Sequence, residues 1–205
     1  VAGMPTAFIA SYGNGRPVIG INAEYDALPG LSQDREKLEK APVMPGAPGQ
    51  GCGHNLLGTA GVKAAIGVKE AIDRFNLKGT VNVIGAPAEE LCLGKPFLGK
   101  AGCLSGYDVF LDWHPWNYTK INYDSCQAYL SVKYHFKGRT CHGNSPWHGR
   151  SALDAALLQG HAVELMREHM YPGCPPDAAN TINYTFTATG PEFPSVVPDY
   201  TTAWY

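Results

Sequence analysis

The chain has 205 residues, of which 44% are hydrophobic, 17% charged and 11% aromatic, as in an ordinary globular protein. Its net charge is −2 and no run of basic residues exceeds two, which excludes a protein that binds nucleic acid through its phosphates. No apolar stretch reaches the roughly 20 residues that a membrane-spanning helix needs. No signal peptide is recognisable, and the lack of an initial Met predicts that the N-terminus of the protein lies upstream of Val1. Six cysteines without a C-x-x-C pair favour a reducing compartment, the cytoplasm.

The first part of the chain has the pattern of an α/β protein. Residues 18–21, 81–86 and 109–111 are short, continuous apolar runs, which are typical of strands buried on both faces of a parallel sheet. Residues 34–50 are charged and then rich in Pro and Gly, which predicts a long loop of functional importance.

A helix is predicted from about His54 to Phe75. Apolar and small residues recur at helical spacing and predict its buried face: Leu57, Gly61, Ala64, Val68, Ala71 and Phe75. The charged residues Lys63, Glu70 and Asp73 fall on the opposite face.

The pattern changes near Tyr129. Apolar and polar residues alternate over 130–136 and again over 182–188, which predicts strands with one exposed face. Between them, Ser151 with Asp154 three residues later predicts the start of a helix that runs to about Met170. A further strand is expected near Val196.

These elements predict two domains. Residues 1–127 form an α/β domain with a mostly parallel sheet flanked by helices. Residues 128–205 begin a second, α+β domain, which we expect to be incomplete at the C-terminus.

Several residues that suit metal binding or proton transfer follow the predicted parallel strands. Asp26 comes after the first strand, Glu89 and Glu90 after the second, and His114 after the third. Because function in open α/β sheets collects beyond the carboxyl ends of the strands, we expect these side chains to converge.

Cys52 and His54 lie at the start of the predicted helix and complete this set. Zinc accepts thiolate, imidazole and carboxylate ligands together, and free N–H groups at a helix start favour a thiolate. The alternative for Cys52 is a buried, small apolar side chain, which is also the interpretation for the other five cysteines.

Four motifs give the chain its resemblance to a known family. The motifs are Ala23-Glu24-Tyr25-Asp26-Ala27-Leu28-Pro29, Cys52-Gly53-His54-Asn55-Leu56, Pro87-Ala88-Glu89-Glu90 and Trp113-His114-Pro115. With these motifs the chain resembles the aminoacylase and dipeptidase family of zinc metallopeptidases, in its aminobenzoyl-glutamate hydrolase-like, amidohydrolase branch. The segments around His142 and Arg150 are similar to the start of that family's lid, or dimerisation, domain.

The resemblance implies that residues 1–127 are a catalytic, metal-binding domain with a zinc-hydrolase-type sheet. It also implies a role for each of the site residues. The ligands of one or two metal ions are Cys52, His54, Glu90 and His114, with Cys52 as the bridge. Glu89 is the general base and Asp26 orients the site. His142 reaches a neighbouring subunit's site and stabilises the oxyanion, so the protein is expected to form a homodimer through the lid domain. Relatives carry one more His ligand, beyond the position of Tyr205.

Two positions depart from the family pattern, and one further contact is predicted. Gln50 replaces a His that many relatives have, which alters hydrogen bonding around the ligands. Ser195 replaces an Asn, which changes one substrate contact. Arg150 is a candidate for binding a substrate carboxylate, and its alternative is a local ion pair with Asp154.

The predicted function is hydrolysis of an amide bond in a small N-acyl or aminoacyl amino acid by metal-activated water. The metal is zinc, with manganese, cobalt or nickel as alternatives for such ligands. One rival is a thiol hydrolase with Cys52 as nucleophile and His114 as base, which leaves Glu89 and Glu90 without a role. Another is a protein that binds metal or a partner without catalysis.

Overall fold

The computed structural model describes residues 1–121, 127–171 and 179–205. The chain divides into two compact units, Val1–Lys120 and Ile121–Tyr205. Their boundary lies a few residues before the one that the sequence predicts at 127/128.

The first unit is built on a four-stranded mixed sheet. Its strands are β1 (Phe8–Asn14), β2 (Val18–Glu24), β3 (Gly79–Ala86) and β4 (Val109–Leu111), in the order β1-β3-β2-β4. β2, β3 and β4 are parallel, and β1 runs antiparallel to β3. The mostly parallel α/β sheet that the sequence predicts is therefore confirmed, and β1 is an addition.

The predicted burial of the parallel strands holds for only two of them. β2 and β3 are almost completely buried, because each is paired on both sides. The expectation is wrong for β4, where all three residues are exposed, since this strand lies at an edge of the sheet.

Helix α1 (His54–Phe75) has the predicted bounds and covers one face of the sheet. Its buried residues are His54, Leu57, Gly61 and Ala65, with Val68 and Ile72 packed against the same core. The predicted stripe is thus right at Leu57, Gly61 and Val68. It is wrong at Ala64 and Phe75, which are exposed.

A second helix, α2 (Gly94–Lys100), was not predicted from the sequence. Its Leu98 packs with Ala7, Ile84 and Ala86 in a core cluster separate from that beneath α1. Val81 and Val83 of β3 belong to the α1 cluster, so alternate residues of this strand serve two cores. Residues 25–53 contain no helix or strand, as predicted for 34–50, apart from a bridge between Leu28 and Gly49.

The second unit contains a three-stranded antiparallel sheet and a helix. The strands are β5 (Lys133–Lys137), β6 (Thr185–Ala188) and β7 (Tyr200–Trp204), in the order β5-β7-β6. Each predicted strand exists but begins a few residues later than expected.

Helix α3 (Ala152–Arg167) begins after Ser151, whose hydroxyl accepts a hydrogen bond from Asp154 N at 3.0 Å, as predicted. It ends at Arg167 rather than near Met170. Its buried face consists of the small residues Ala152, Ala156 and Gly160, which allow close packing on the sheet.

None of the helices in the described ranges has the length and apolar character needed to cross a membrane.

Candidate metal centre

The parallel strands bring the candidate site residues to one edge of the sheet. Glu24 of β2 pairs with Ala86 of β3, so the two strands end side by side. Asp26 follows β2, Glu89 and Glu90 follow β3, and His114 follows β4. The predicted convergence of these positions is a direct result of the shared strand direction.

The start of α1 places Cys52 beside His114. Gly53, which caps the helix, has a φ of 86°, and a Cβ there would lie 2.9 Å from Cγ of Pro115. Only glycine fits both the left-handed backbone and this close approach. As a result, Sγ of Cys52 lies 3.2 Å from Nε2 of His114. Nδ1 of His114 lies 2.9 Å from the carbonyl oxygen of Pro115, which leaves Nε2 turned toward the thiol.

His54 is fully buried at the first turn of α1 and contacts several carboxylates. Its Nδ1 lies 3.1 Å from Oδ1 of Asp26, and the other oxygen of Asp26 accepts a hydrogen bond from Glu90 N at 3.0 Å. Asp26 therefore links the His54 ring to the backbone of the Glu89–Glu90 turn. The Oε1 atom of Glu90 lies 3.8 Å from Nδ1 of His54.

Two polar atoms at this edge are buried without a hydrogen bond from any described residue. They are Nε2 of His54 and Oε1 of Glu90. Leaving such a group unsatisfied costs about 1–3 kcal/mol, more if it is charged, so proteins rarely bury one without a partner.

The ligand atoms of Cys52, His54 and His114 lie within 4.8 Å of one another, and so do those of Glu24, His54 and Glu89. Sulfur, imidazole nitrogen and carboxylate oxygen are donors that a zinc-type cation accepts together. A divalent cation at Nε2 of His54 would also satisfy that buried nitrogen, so the residues fit such an ion.

The Glu89 carboxylate lies at the mouth of this cluster, with Oε2 3.5 Å from Nε2 of His54. Partial burial and the negative charge of Glu24 raise the pKa of Glu89, although the nearby Lys95 ammonium acts in the opposite direction. A carboxylate whose pKa is raised is better matched to proton transfer near neutral pH.

The structure does not support the expectation that the start of α1 favours the thiolate form of Cys52. Burial, followed by the charges of Glu90 and Glu89, raises the pKa of Cys52. The free N–H groups at the start of α1 therefore do not dominate, because burial and the neighbouring carboxylates raise the pKa of the thiol. A bound cation would reverse the balance, since metals stabilise a coordinated thiolate.

Glu24 and Lys95 lie at the site but were not singled out from the sequence. Glu24 is 2% exposed and forms an ion pair with Lys95 of α2. Burial alone would lower the pKa of Lys95. The hydrogen bond to Glu24 and the charge of Glu24, with smaller contributions from Asp112 and Glu89, outweigh burial and raise that pKa. The sequence contains one indication of the importance of Glu24. It is a charged residue at the end of a continuous apolar strand, and a charged residue in such a buried position needs a partner. The sequence offers no comparable signal for Lys95.

The remaining predicted site residues belong to the second unit. His142 is exposed and forms an isolated bridge with Val196, and Gly143 N donates to the carbonyl oxygen of Ser195 at 2.7 Å. This turn places His142 and Ser195 on adjacent segments. Arg150 pairs with Arg139 through the backbone, and the ion pairs among the described residues do not include one between Arg150 and Asp154.

The sequence is similar to those of known hydrolases. It is 40% identical over 198 residues to a component of the p-aminobenzoyl-glutamate hydrolase of Escherichia coli K12, a match that covers 96% of this chain and 40% of that protein. It is 35% identical over 182 residues to the Xaa-Arg dipeptidase of Mus musculus, covering 83% of this chain and 38% of the relative. The chain thus spans about two fifths of the length of these curated relatives. No family model matches it.

A solved structure from methicillin-resistant Staphylococcus aureus, described as that of an aminohydrolase, shares the fold. The match has a TM-score of 0.58 at 21% identity and covers 98% of this chain and 54% of the other. The chain is thus similar to peptidases and amidohydrolases, in agreement with the resemblance of its motifs to the aminoacylase and dipeptidase family of metallopeptidases.

Proposed function

We propose that the protein is a metal-dependent amidohydrolase that cleaves an amide bond of a small N-acyl or aminoacyl amino acid. The observation that carries this proposal is the cluster of Cys52, His54 and His114 beside the Glu89–Glu90 pair, together with the two unpaired buried atoms. The names of the relatives point to the same reaction class, with an aminobenzoyl-glutamate or a dipeptide ending in Arg as candidate substrates.

We assign the ligands of one or two divalent ions to Cys52, His54, Glu90 and His114. Zinc is the ion that this mixture of sulfur, nitrogen and oxygen suits best, and manganese, cobalt or nickel are the alternatives. When bound, the ion supplies Lewis-acid polarisation of the amide carbonyl and makes water more acidic.

The chain's own residues then have separate tasks. Asp26 accepts a hydrogen bond from Nδ1–H of His54 and so orients the ring, as carboxylates do for metal-binding histidines. Glu89 takes one proton from the attacking water and later delivers it to the amine nitrogen as the C–N bond breaks. Its position 3.5 Å from His54 Nε2 supports this assignment.

Residues of the second unit would bind the substrate. We propose that His142 donates a hydrogen bond to the developing oxyanion, and that it does so in the site of a partner subunit. Arg150 is proposed to bind the substrate carboxylate. Its side chain is available for this contact, because Arg150 is exposed and the ion pairs among the described residues do not include one with Asp154. Ser195, next to the His142 turn, would contact the substrate. The protein is accordingly a homodimer through this lid domain and works in the cytoplasm, where the Cys52 thiol stays reduced.

The contact between Cys52 and His114 also favours a second candidate, a thiol hydrolase in which His114 activates the Cys52 sulfur. Two observations weigh against it. Burial and the surrounding carboxylates raise the pKa of Cys52, and no step of such a reaction uses the two adjacent glutamates.

The test uses full-length protein, with metal analysis and an activity screen over aminobenzoyl-glutamate, dipeptides ending in Arg, and N-acyl amino acids. A chelator should abolish turnover and added zinc should restore it. Activity that survives the chelator but is lost on alkylation of the metal-free protein would replace this function with the thiol mechanism. Bound metal with no turnover of any substrate would indicate a metal-binding protein without this activity.

A further inference from the structure

Glu24 is held in place by two donors on a single oxygen. Oε1 accepts a hydrogen bond from Asn22 Nδ2 at 3.0 Å and forms the ion pair with Lys95. The donors come from different elements, β2 and the first turn of α2. The second oxygen, Oε2, faces Nε2 of His54 at 3.4 Å.

His54 consequently lies between carboxylates on both sides of its ring. Asp26 is hydrogen-bonded to Nδ1 at 3.1 Å, whereas Glu24 and Glu89 approach Nε2 without forming a hydrogen bond. A neutral imidazole carries one N–H, and the stronger acceptor decides which nitrogen bears it. Asp26 and Glu24 therefore compete for the same proton.

Lys95 affects this competition through Glu24. The Lys95 ammonium and the Asn22 amide both contact Oε1 of Glu24, so the negative charge of Glu24 is concentrated on the oxygen that faces away from His54. The same two contacts keep the Glu24 carboxylate from rotating toward the His54 ring. Gly58 brings α1 close to this strand end, because a Cβ there would lie 2.7 Å from the carbonyl oxygen of Glu24, so a Glu24 that lost its partners would remain next to His54.

We propose that Lys95 is a positioning residue of the candidate metal centre. By holding Glu24, it keeps the His54 proton on Nδ1, facing Asp26, and leaves the lone pair of Nε2 free for a cation. The effect on cation binding rests on the proposed function, whereas the effect on the tautomer of His54 does not.

This role predicts the opposite result from simple charge repulsion. A cation beside a metal centre opposes a second cation, so by charge alone the removal of Lys95 would strengthen metal binding. If Lys95 positions the ligand, its removal moves the proton to Nε2 and weakens binding. Loss of a residue that orients a metal ligand lowers affinity by about 10–100-fold.

The experiment compares zinc affinity in full-length variants by competition with a chromophoric chelator. Lys95→Met should bind zinc about 10–100-fold more weakly than the wild type. Lys95→Arg keeps the charge and should bind nearly as well as the wild type. The double variant Lys95→Met with Glu24→Gln should recover affinity relative to Lys95→Met, since the competing carboxylate is gone. Lys100→Met, at the other end of α2, is the matched control and should bind as the wild type does.

A second readout needs no metal. In metal-free, ¹⁵N-histidine-labelled protein, solid-state NMR should show His54 protonated at Nδ1 in the wild type and at Nε2 in Lys95→Met. The His54 signals are assigned by their loss in His54→Gln.

Unchanged or tighter zinc binding by Lys95→Met, an unchanged tautomer, or a double variant as weak as the single one would each overturn the proposal. Failure of the proposed function is a separate outcome. It would appear as bound metal without turnover of any substrate, or as turnover that survives the chelator, and neither result bears on the tautomer of His54.

Discussion

The sulfur of Cys52 lies 3.2 Å from Nε2 of His114, although 62 residues separate the two in the chain. The contact joins the loop before α1 to the segment after β4, and the buried ring of His54 lies at the same place, 5.8 Å from that of His114 between centroids. Three donors from two distant segments therefore meet at the end of the sheet.

Metal binding should depend on this contact. Cys52→Ser and His114→Ala each remove a donor that the other residues cannot replace, so both variants should lose most of their metal after dialysis, as measured by elemental analysis. Cys103→Ala is the control, because Cys103 packs against the core beneath α2 and should keep its metal. Full metal content in both site variants would contradict the ligand assignment.

The two adjacent glutamates should separate into a ligand and a proton-transfer group. Glu90→Gln should lose metal, because Oε1 of Glu90 is buried without a hydrogen bond from the described residues and lies 3.8 Å from the His54 ring. Glu89→Gln should keep its metal and lose about 10²–10⁴-fold in kcat, the usual contribution of a general acid–base group. The measurement is kcat together with metal content in the full-length enzyme. Near-normal turnover by Glu89→Gln would exclude its role as the base.

Acid should weaken the link between β2 and β4. Asp108 accepts a hydrogen bond from Val18 N at 2.7 Å and pairs with Arg16, and these contacts lower the pKa of Asp108 from its ordinary 3.8. A carboxyl group whose pKa is lowered by folding stabilises the folded state at pH values above its ordinary pKa. That stabilisation is lost as the pH falls through the folded-state pKa. Asp108→Asn should therefore be less stable than the wild type at neutral pH, with the difference narrowing below pH 3.8.

Urea unfolding at neutral and acidic pH measures this difference. Glu39→Gln changes an exposed carboxylate in the 34–50 loop and should show no such narrowing. A difference between Asp108→Asn and the wild type that stays constant with pH would show that the carboxylate adds no pH-dependent stability.

The sequence predicts those elements of the first unit that carry a strong burial signal. α1 has the predicted bounds because its start motif and apolar periodicity agree, and β2 and β3 are continuous apolar runs. β1 is mostly exposed, so its residues show no such run. α2 has only seven residues and contains Gly94, Pro96 and Gly99, which ordinarily argue against a helix.

The candidate site divides in the same way. Asp26, Glu89, Glu90 and His114 are predictable because they follow parallel strands, whose direction brings them together. The importance of Glu24 and Lys95 depends on a contact between the end of β2 and a helix that the sequence does not reveal. On α1, Ala64 and Ala65 are equally small, so the sequence gives no basis for choosing which of them is buried.

The last prediction is that two copies of the full-length protein share each active site. His142 is exposed in the second unit, and among the described residues of that unit β5 and β6 are the edge strands of the sheet. Exposed edges of this kind invite pairing with another chain. If His142 serves a partner's site, Glu89→Gln and His142→Ala should each be inactive alone. Together in one dimer they leave one site with both groups intact.

Co-expression with two different affinity tags isolates such heterodimers directly. Their activity should be about half that of the wild type, because one of the two sites in a twofold dimer is complete. His148→Ala is the matched control: His148 lies in the neighbouring turn, is also exposed, and should leave the homodimer active. Purified heterodimers that remain inactive would show that His142 does not act across the dimer. If His142 served the site of its own chain, each of the two sites would lack either Glu89 or His142.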